Sequence, residues 1–406
     1  MTQSLRPALP LDRGPTAEAP VSADRARKVL HVIPGLAGGG AERALRNLAR
    51  TMQGSHWETV ILVFNVGPHT ALADELRSLG CTVHDLAQPA LLHPAVWFGT
   101  WKTMLREQPD VVQTWMHHAD FIGSVAALFA GTRNVIWGIR ASVVWKNPED
   151  SALKTKLFHL ALKHASRWLP SRIIGNSHKA LEAHAGMGYP RSKFAFVPNG
   201  IDAQRFSAQP GVRTATRAQW QIPASAPVIG FVGRFHPLKE IALFFRVAAE
   251  LQAARPELHL VLCGGLESGL YPKAHEALTA LPKPDQVRFV PFSDDAEKVY
   301  PAFDLLLMCS GEAEAFPNVV LEAMACETPV VATCAGDAAT IVGDAGRVVA
   351  VGDQQALVRA CRETLELSPS ALAQQKASGR QRALEEYTLE RAAQRFVSIY
   401  EEVVRA

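Results

Sequence analysis

The chain has 406 residues, 48% of them hydrophobic and 20% charged, with a formal net charge of +3. This length suits two cored domains, since a single core stops growing at roughly 250–300 residues, and the composition excludes wholesale disorder and fibrous architecture. The basic residues are too dispersed to imply a nucleic-acid partner, and no apolar run approaches the roughly 20 residues that span a bilayer.

Residues 1–27 are rich in Pro, Ala and charge, lack the apolar core of a secretory signal, and read as a disordered tail. From Lys28 onward β-branched runs alternate with helical patterns, the signature of a parallel sheet wrapped by helices. Val29–Ile33 reads as a buried strand, Pro34–Gly40 as a Gly-rich loop and Ala41–Met52 as an amphipathic helix. Strands follow at Thr59–Phe64, Thr82–Asp85, Val111–Thr114, Val135–Ile139, Arg172–Gly175 and Phe194–Pro198, giving a first domain over 28–205. Ala203–Thr214 has linker composition. The pattern restarts with strands at Val228–Val232, Leu258–Cys263, Val287–Phe289, Asp304–Met308, Pro329–Thr333 and Arg347–Val349, a second domain over 206–385. Ser370–Ala406 is helical, and its last part, 386–406, is expected to pack back across both domains. Cys81, Cys263, Cys309, Cys326, Cys334 and Cys361 fall in no metal-binding spacing and read as reduced thiols of a cytoplasmic protein.

Three segments carry chemistry. Ser310–Ala325 follows a strand and opens a helix, with Glu314 before it, Pro317 suited to its first turn and Glu322 within it. The positive helix end would face the sheet's C-terminal edge, where an open α/β domain binds its ligand. A phosphate fits there, while Glu314 reaches a group beyond the helix and Glu322 one along its side, which is the shape of a sugar nucleotide. Directly after the strand ending at Val232, Gly233, Arg234 and Lys239 put two cations on one loop. They can neutralise a leaving nucleoside diphosphate in place of a divalent metal. Gly38, Gly39 and Gly40, between the first strand and first helix, let backbone approach a ligand closely. Arg43 occupies the third glycine position of a dinucleotide fingerprint, which disfavours a nicotinamide cofactor.

These segments resemble the EX7E retaining glycosyltransferases (family 4-like, group 1), whose form of Glu314–Thr333 is close to EGFPNVLLEAMACGTPVVAT. The resemblance covers nearly the whole chain. It implies a GT-B fold, an α/β architecture of two Rossmann-like domains facing a cleft, with the C-terminal helix crossing back to the first. It implies that Glu314 contacts the donor sugar near the reacting centre and Glu322 hydrogen-bonds the ribose. Phe316, Pro317, Asn318, Val319 and Gly233 complete the donor site, Arg234 and Lys239 clamp the pyrophosphate, and the glycine loop faces the cleft. His117 and His118 are both eligible as an active-site His, with His118 favoured, and Arg140 is a candidate for an anionic acceptor such as a lipid diphosphate. Asn199–Asp202 match the family's PNGID, as a turn or a ligand element alike. The implied partners are a nucleoside-diphosphate sugar, a UDP-sugar first, and a lipid-linked or polysaccharide acceptor, with no cofactor and no metal. An epimerase on the same fold stays open as an alternative. So does an inactive sugar-nucleotide-binding homologue, because Ala315 and Glu327 stand where the family has Gly; Thr340 stands where it often has Glu. Finally, between Ala141 and Pro170, Trp145, Lys146, Lys154, Lys156, Lys163, Arg167 and Trp168 interleave with Leu153, Leu157, Phe158, Leu160 and Leu162. Such a helix suits the anionic inner face of the cytoplasmic membrane, or equally a solvated face over a core stripe.

Overall fold

The computed structural model describes residues 26–37, 39–68, 70–88, 90, 93–141, 152–291 and 295–406. The first sheet contains β1 (Arg27–Gly35), β2 (Trp57–Asn65), β3 (Thr82–Asp85), β4 (Val111–Thr114), β5 (Val135–Ile139), β6 (Arg172–Gly175) and β7 (Phe194–Phe196). All pair in parallel, in the order β3-β2-β1-β4-β5-β6-β7, with Val29 opposite Thr59 on one side and Val111 on the other. The connections are α1 (Gly40–Thr51), α2 (Thr70–Ser78), α3 (Pro94–Glu107), α4 (His117–Ala130), α5 (Ala152–Trp168) and α6 (His178–Gly186). Cores lie on both faces of the sheet. Leu45 and Leu48 of α1 and Leu76 of α2 lie in one, and Met104 of α3, Ile122 of α4 and Leu162 of α5 in the other. Burial on both faces is why these strands read as continuous apolar runs rather than alternating ones.

After α7 (Val212–Gln219) the second domain repeats the plan with β8 (Val228–Val232), α8 (Ile241–Ala254), β9 (His259–Cys263), α9 (Pro272–Thr279), β10 (Val287–Val290), α10 (Ala296–Val299), β11 (Leu305–Met308), α11 (Asn318–Ala325), β12 (Val330–Thr333), α12 (Ala338–Val342), β13 (Arg347–Val349) and α13 (Gln354–Leu365). Its parallel order is β10-β9-β8-β11-β12-β13. In each sheet the winding reverses once, at β1/β4 and at β8/β11. At such a reversal adjacent loops leave on opposite faces and open a crevice beyond the strands' C-terminal ends. The chain leaving β1, β4, β8 and β11 carries, in its loop or the first helical turn, the glycine run, the His pair, the two cations and Glu314.

The C-terminal stretch, read as helical over Ser370–Ala406, is two helices, α14 (Pro369–Glu386) and α15 (Leu389–Arg405). The break at Tyr387–Thr388 is a crossing between domains. The Ile201 N–H donates to the Tyr387 carbonyl at 2.7 Å, and the Leu389 N–H to the Ile201 carbonyl at 3.1 Å. The Thr388 hydroxyl then caps α15 through the Arg391 N–H at 3.3 Å. Gly200 lies so close that a Cβ there would sit 2.7 Å from Leu389 Cα, which only glycine avoids. The Asn199–Asp202 segment is therefore part of this crossing. α15 places Phe396 and Tyr400 in the first domain's core, while Phe206, inside the expected linker, is buried in the second domain's.

Candidate active site

The loops after β8 and β11 are joined. The Gly311 N–H donates to the Leu238 carbonyl at 3.0 Å, and the Lys239 ammonium forms an ion pair with the Glu314 carboxylate. Gly233 is at φ 151, a conformation that favours glycine. A Cβ on its neighbour Gly264 would lie 2.3 Å from the Gly233 carbonyl oxygen, so the ends of β8 and β9 meet backbone to backbone. Arg234 is exposed on this loop. Pro317 is the N-cap of α11 and no side chain caps the helix, so Pro317 stands just before the first turn rather than in it.

Phe316, expected in the donor site, turns its side chain inward. Its ring is buried, 6.0 Å from that of Tyr387, and belongs to the second domain's core. Only its backbone remains for a ligand. Val319 also packs on that core, and the Asn318 carboxamide is held across the cleft by the Asn199 side-chain amide at 2.9 Å. Glu322 lies half-buried on the flank of α11, where the hydroxyl of the fully buried Tyr300 donates to its Oε2. Burial pushes the Glu322 carboxyl above the usual carboxylate range, opposed by the Tyr300 hydrogen bond and by the cations Arg43 and Arg205. Arg43 belongs to α1 in the other domain, so its positive charge is felt at Glu322 across the cleft.

The two family departures now have physical readings. Glu327 sits at φ 57, just past the C-cap of α11, where a left-handed backbone explains the usual Gly. It is held there with Arg380 Nε at 3.7 Å. Ala315 is not among the positive-φ residues. It is buried in the hydrophobic cluster of the first domain, so its methyl adds to the contact between domains. Thr340 is exposed on α12.

On the first domain, Gly39 is the N-cap of α1 with no side-chain cap, and a Cβ on Gly40 would meet nothing within 4 Å. The fold itself therefore does not demand glycine at 40. Gly38 lies outside the described residues. Met116, the N-cap of α4, holds φ 73, a strained value for a residue with a Cβ. The two histidines that follow part company. His118 is half-buried and stacks on Phe158 with ring centroids 5.1 Å apart. His117 is buried beside His184, and burial first, then the neighbouring His184, His118 and His159, lowers its pKa to about 3. Its Nδ1 is 3.9 Å from Oδ2 of Asp120, whose own pKa burial raises to about 8 against the hydrogen bonds from Thr114 and Gly138. Both partners are driven to their neutral forms.

Arg140, the expected ligand for an anionic acceptor, keeps its buried Nε and Nη2 without a hydrogen-bond partner among the described residues. Its guanidinium lies 4.5 Å from the Trp115 ring centroid and donates to Asn199 Oδ1 at 2.9 Å. Burial lowers its pKa to about 10, so it stays charged at neutral pH. Arg140 thus supports Asn199, and through it Asn318, from behind the cleft.

Sequence reading missed Asp337. Its N–H donates to the Ala315 carbonyl at 2.9 Å. Its carboxylate accepts from the Ser177 hydroxyl at 2.8 Å, the His178 N–H at 2.7 Å and the Lys179 N–H at 3.1 Å. One buried residue of the second domain therefore caps α6 of the first through its side chain and braces the Glu314 loop through its backbone. Gly336 makes this possible: it is at φ 58, and a Cβ would lie 2.2 Å from the Ala315 oxygen. Among the described residues no cluster of His, Cys, Asp and Glu could hold a metal ion.

Two family models tile the chain, Glycosyltransferase Family 4 over residues 38–205 and Glycosyl transferases group 1 over 212–382. The chain belongs to these glycosyltransferase families. Curated relatives include the D-inositol 3-phosphate glycosyltransferases of Salinispora arenicola, 34% identical over 52% of this chain and 50% of theirs, and of Mycolicibacterium smegmatis, 34% identical over 46% and 43%. The chain spans about half the length of these relatives. Among solved structures, Anabaena HepE in complex with UDP superposes with a TM-score of 0.77 over 92% of this chain and 100% of its own, at 23% identity. Sucrose-phosphate synthase from Thermosynechococcus elongatus gives 0.74 over 93% and 99%, at 17% identity. Likeness at that level establishes the glycosyltransferase's fold, two Rossmann-like domains of the GT-B type with the last helix returning to the first.

Proposed function

We propose that this glycosyltransferase moves a sugar from a nucleoside-diphosphate donor, a UDP-sugar, to a hydroxyl of a lipid-linked or polysaccharide acceptor, with retention of configuration, on the cytoplasmic side of the membrane. The observation that carries the reading is the Lys239–Glu314 ion pair beside Arg234 and the uncapped start of α11. An ammonium that touches both a diphosphate and this carboxylate puts the sugar between them. HepE, which shares this fold, has been solved in complex with UDP and with UDP-glucose, which supports the donor class.

In this mechanism the bond between the anomeric carbon and the diphosphate oxygen breaks as the acceptor oxygen attacks on the same face, and the departing phosphate takes the acceptor's proton. Arg234, Lys239 and the α11 N–H groups stabilise the charge that grows on the diphosphate. Glu314 steadies the sugar, Glu322 holds the ribose with its position fixed by Tyr300, and His118 with the Gly39–Gly40 turn closes the acceptor side. Neither family departure falls on these contacts: Glu327 is at the far end of α11, and the Ala315 methyl packs into the first domain. This favours a working enzyme over an inactive homologue.

Thermal-shift measurement with UDP-, GDP- and ADP-sugars tests the donor. A UDP-sugar should raise the melting temperature, and Arg234→Ala or Glu322→Ala should each abolish the rise. An unchanged rise in both variants would sink the site assignment. Radiolabel from the bound donor is then followed into lipid extract, polysaccharide and inositol phosphate, the last being the acceptor named in the relatives. Isomerised free sugar nucleotide with no labelled product would mean an epimerase.

A further inference from the structure

α5 is apolar on two opposite faces. Phe158, Leu162, Ala165 and, just past the helix end, Leu169 lie in or against the first domain's core. Leu153, Leu157, Leu160 and Trp168, spaced so as to form one ridge, point the other way, and Trp168 is 84% exposed. An ordinary surface helix has one apolar stripe, and that stripe faces inward. The exposed side of α5 also carries Lys154, Lys156 and Arg167, and none of its seventeen residues is acidic.

The neighbouring helices extend this face. Trp97 of α3 meets Phe121 of α4 at 6.0 Å, and Phe121 meets Phe158 at 6.4 Å, so the three helices lie side by side. Phe98, Leu128 and Phe129 are exposed on α3 and α4, and Pro94, Trp97, Phe98, Trp101 and Phe129 line an open apolar cavity of about 530 Å³. The acids on α3 and α4 are Glu107, held by Lys28 and Arg106, and the buried Asp120. The surface is therefore aromatic, aliphatic and cationic, without an exposed carboxylate on the helices that form it.

We infer that this three-helix face docks the protein on an anionic phospholipid bilayer, with the α5 ridge and Phe98 and Phe129 entering the boundary between headgroups and acyl chains. Exposed apolar patches of this extent mark interaction surfaces. Paired apolar and basic character is what an interfacial element needs for a negatively charged leaflet, and indole rings favour that boundary. A second copy of the chain fits poorly, because a two-fold contact would set these cations against each other. In a parallel sheet all three helices begin at the cleft edge, so a docked protein lies with the crevice beside His118 alongside the lipid. The docking does not depend on the transfer reading, although it gives a lipid-linked acceptor a short route in.

The test is co-sedimentation of the full chain with vesicles of phosphatidylcholine alone or with added phosphatidylglycerol, at low and high salt. Partition should be at least about ten-fold stronger on the anionic vesicles and should fall with salt, at roughly five-fold per neutralised cation. Leu157→Ser/Leu160→Ser/Trp168→Ser should cut it by about ten-fold or more. Lys154→Gln/Lys156→Gln/Arg167→Gln should cut it and flatten the salt dependence. Circular dichroism reports folding of each variant, and the donor thermal shift reports the transfer reading separately. Equal or absent partition on the two vesicle types, unchanged partition in both variants, or a solution dimer that the serine variant dissociates in the absence of vesicle binding would overturn the inference.

Discussion

Replacing Asp337 with Ala should cost the protein about 3 kcal/mol and uncouple its two domains. The carboxylate accepts three hydrogen bonds, from the Ser177 hydroxyl and from two first-turn N–H groups of α6, and is 4% exposed. Ser177 still caps Ala180 N–H in the variant, so the helix keeps one cap. What is lost is a charged partner at the positive helix end, about 1 kcal/mol, and satisfaction of the buried Ser177 hydroxyl and of two part-buried N–H donors, about 2 kcal/mol together. Asp337→Asn is a sharper probe. Oδ1 accepts two of the three bonds and Oδ2 the third, so an amide keeps two and sets its NH₂ against the His178 N–H, at about half the cost. Urea unfolding followed by two signals reads both effects. Seven of the eight tryptophans precede residue 170 and only Trp220 follows, so fluorescence follows the first domain while far-UV circular dichroism follows both. The wild type should give coincident curves, and Asp337→Ala should split them. A variant with an unshifted midpoint and coincident curves would refute the bracing role.

Asp120→Asn tests the neutral buried pair. The Asp120 carboxyl keeps its proton to about pH 8 when folded, against roughly 4 when unfolded. Its stabilising contribution is complete below pH ~4 and is lost as pH rises toward 8. The variant should therefore match the wild type near pH 5 and exceed it at pH 8.5; a loss of about 3 kcal/mol at every pH would indicate an ionised Asp120–His117 pair instead. Glu327→Gly should stabilise by about 1 kcal/mol, since it relieves a left-handed backbone at the cost of a weak, partly exposed pair with Arg380. Melting should rise by about 2 °C with the donor-induced shift unaltered, and a fall would show that the ion pair outweighs the backbone.

All the strands of both sheets stand where β-branched runs placed them, because strands buried on two faces leave no other reading for Val29–Ile33 or Val228–Val232. The motif loops were legible for the same reason: each follows such a strand and opens a helix. What escaped was anything decided by contacts between distant segments. Asp337 has no local pattern, and its role exists only because α6 arrives 160 residues earlier in the chain. Arg140 stood out at a strand's end, but nothing local showed that Trp115 would stack on its guanidinium or that Asn199 would accept from its Nη1. Phe316 sits inside the most recognisable motif and yet packs inward on Tyr387. In α5 the spacing showed apolar residues and cations but not which apolar face was inner, since both faces repeat at helical spacing.

The two crossings between domains, at Ile201 and at Tyr387–Thr388, are hydrogen-bonded to each other. Two tethers set far apart would lock the halves rigidly, and a single one would let them swivel in any direction. Two chain segments bridged side by side behave as a door hinge, permitting rotation about one line and resisting sliding or twist. The separation of Gly40 from Asn318 is then governed by a single angle, with the Asp337 contact to α6 acting as its stop. A substitution at Gly200, where a Cβ would lie 2.7 Å from Leu389 Cα, would misalign this hinge without touching the loops that line the crevice.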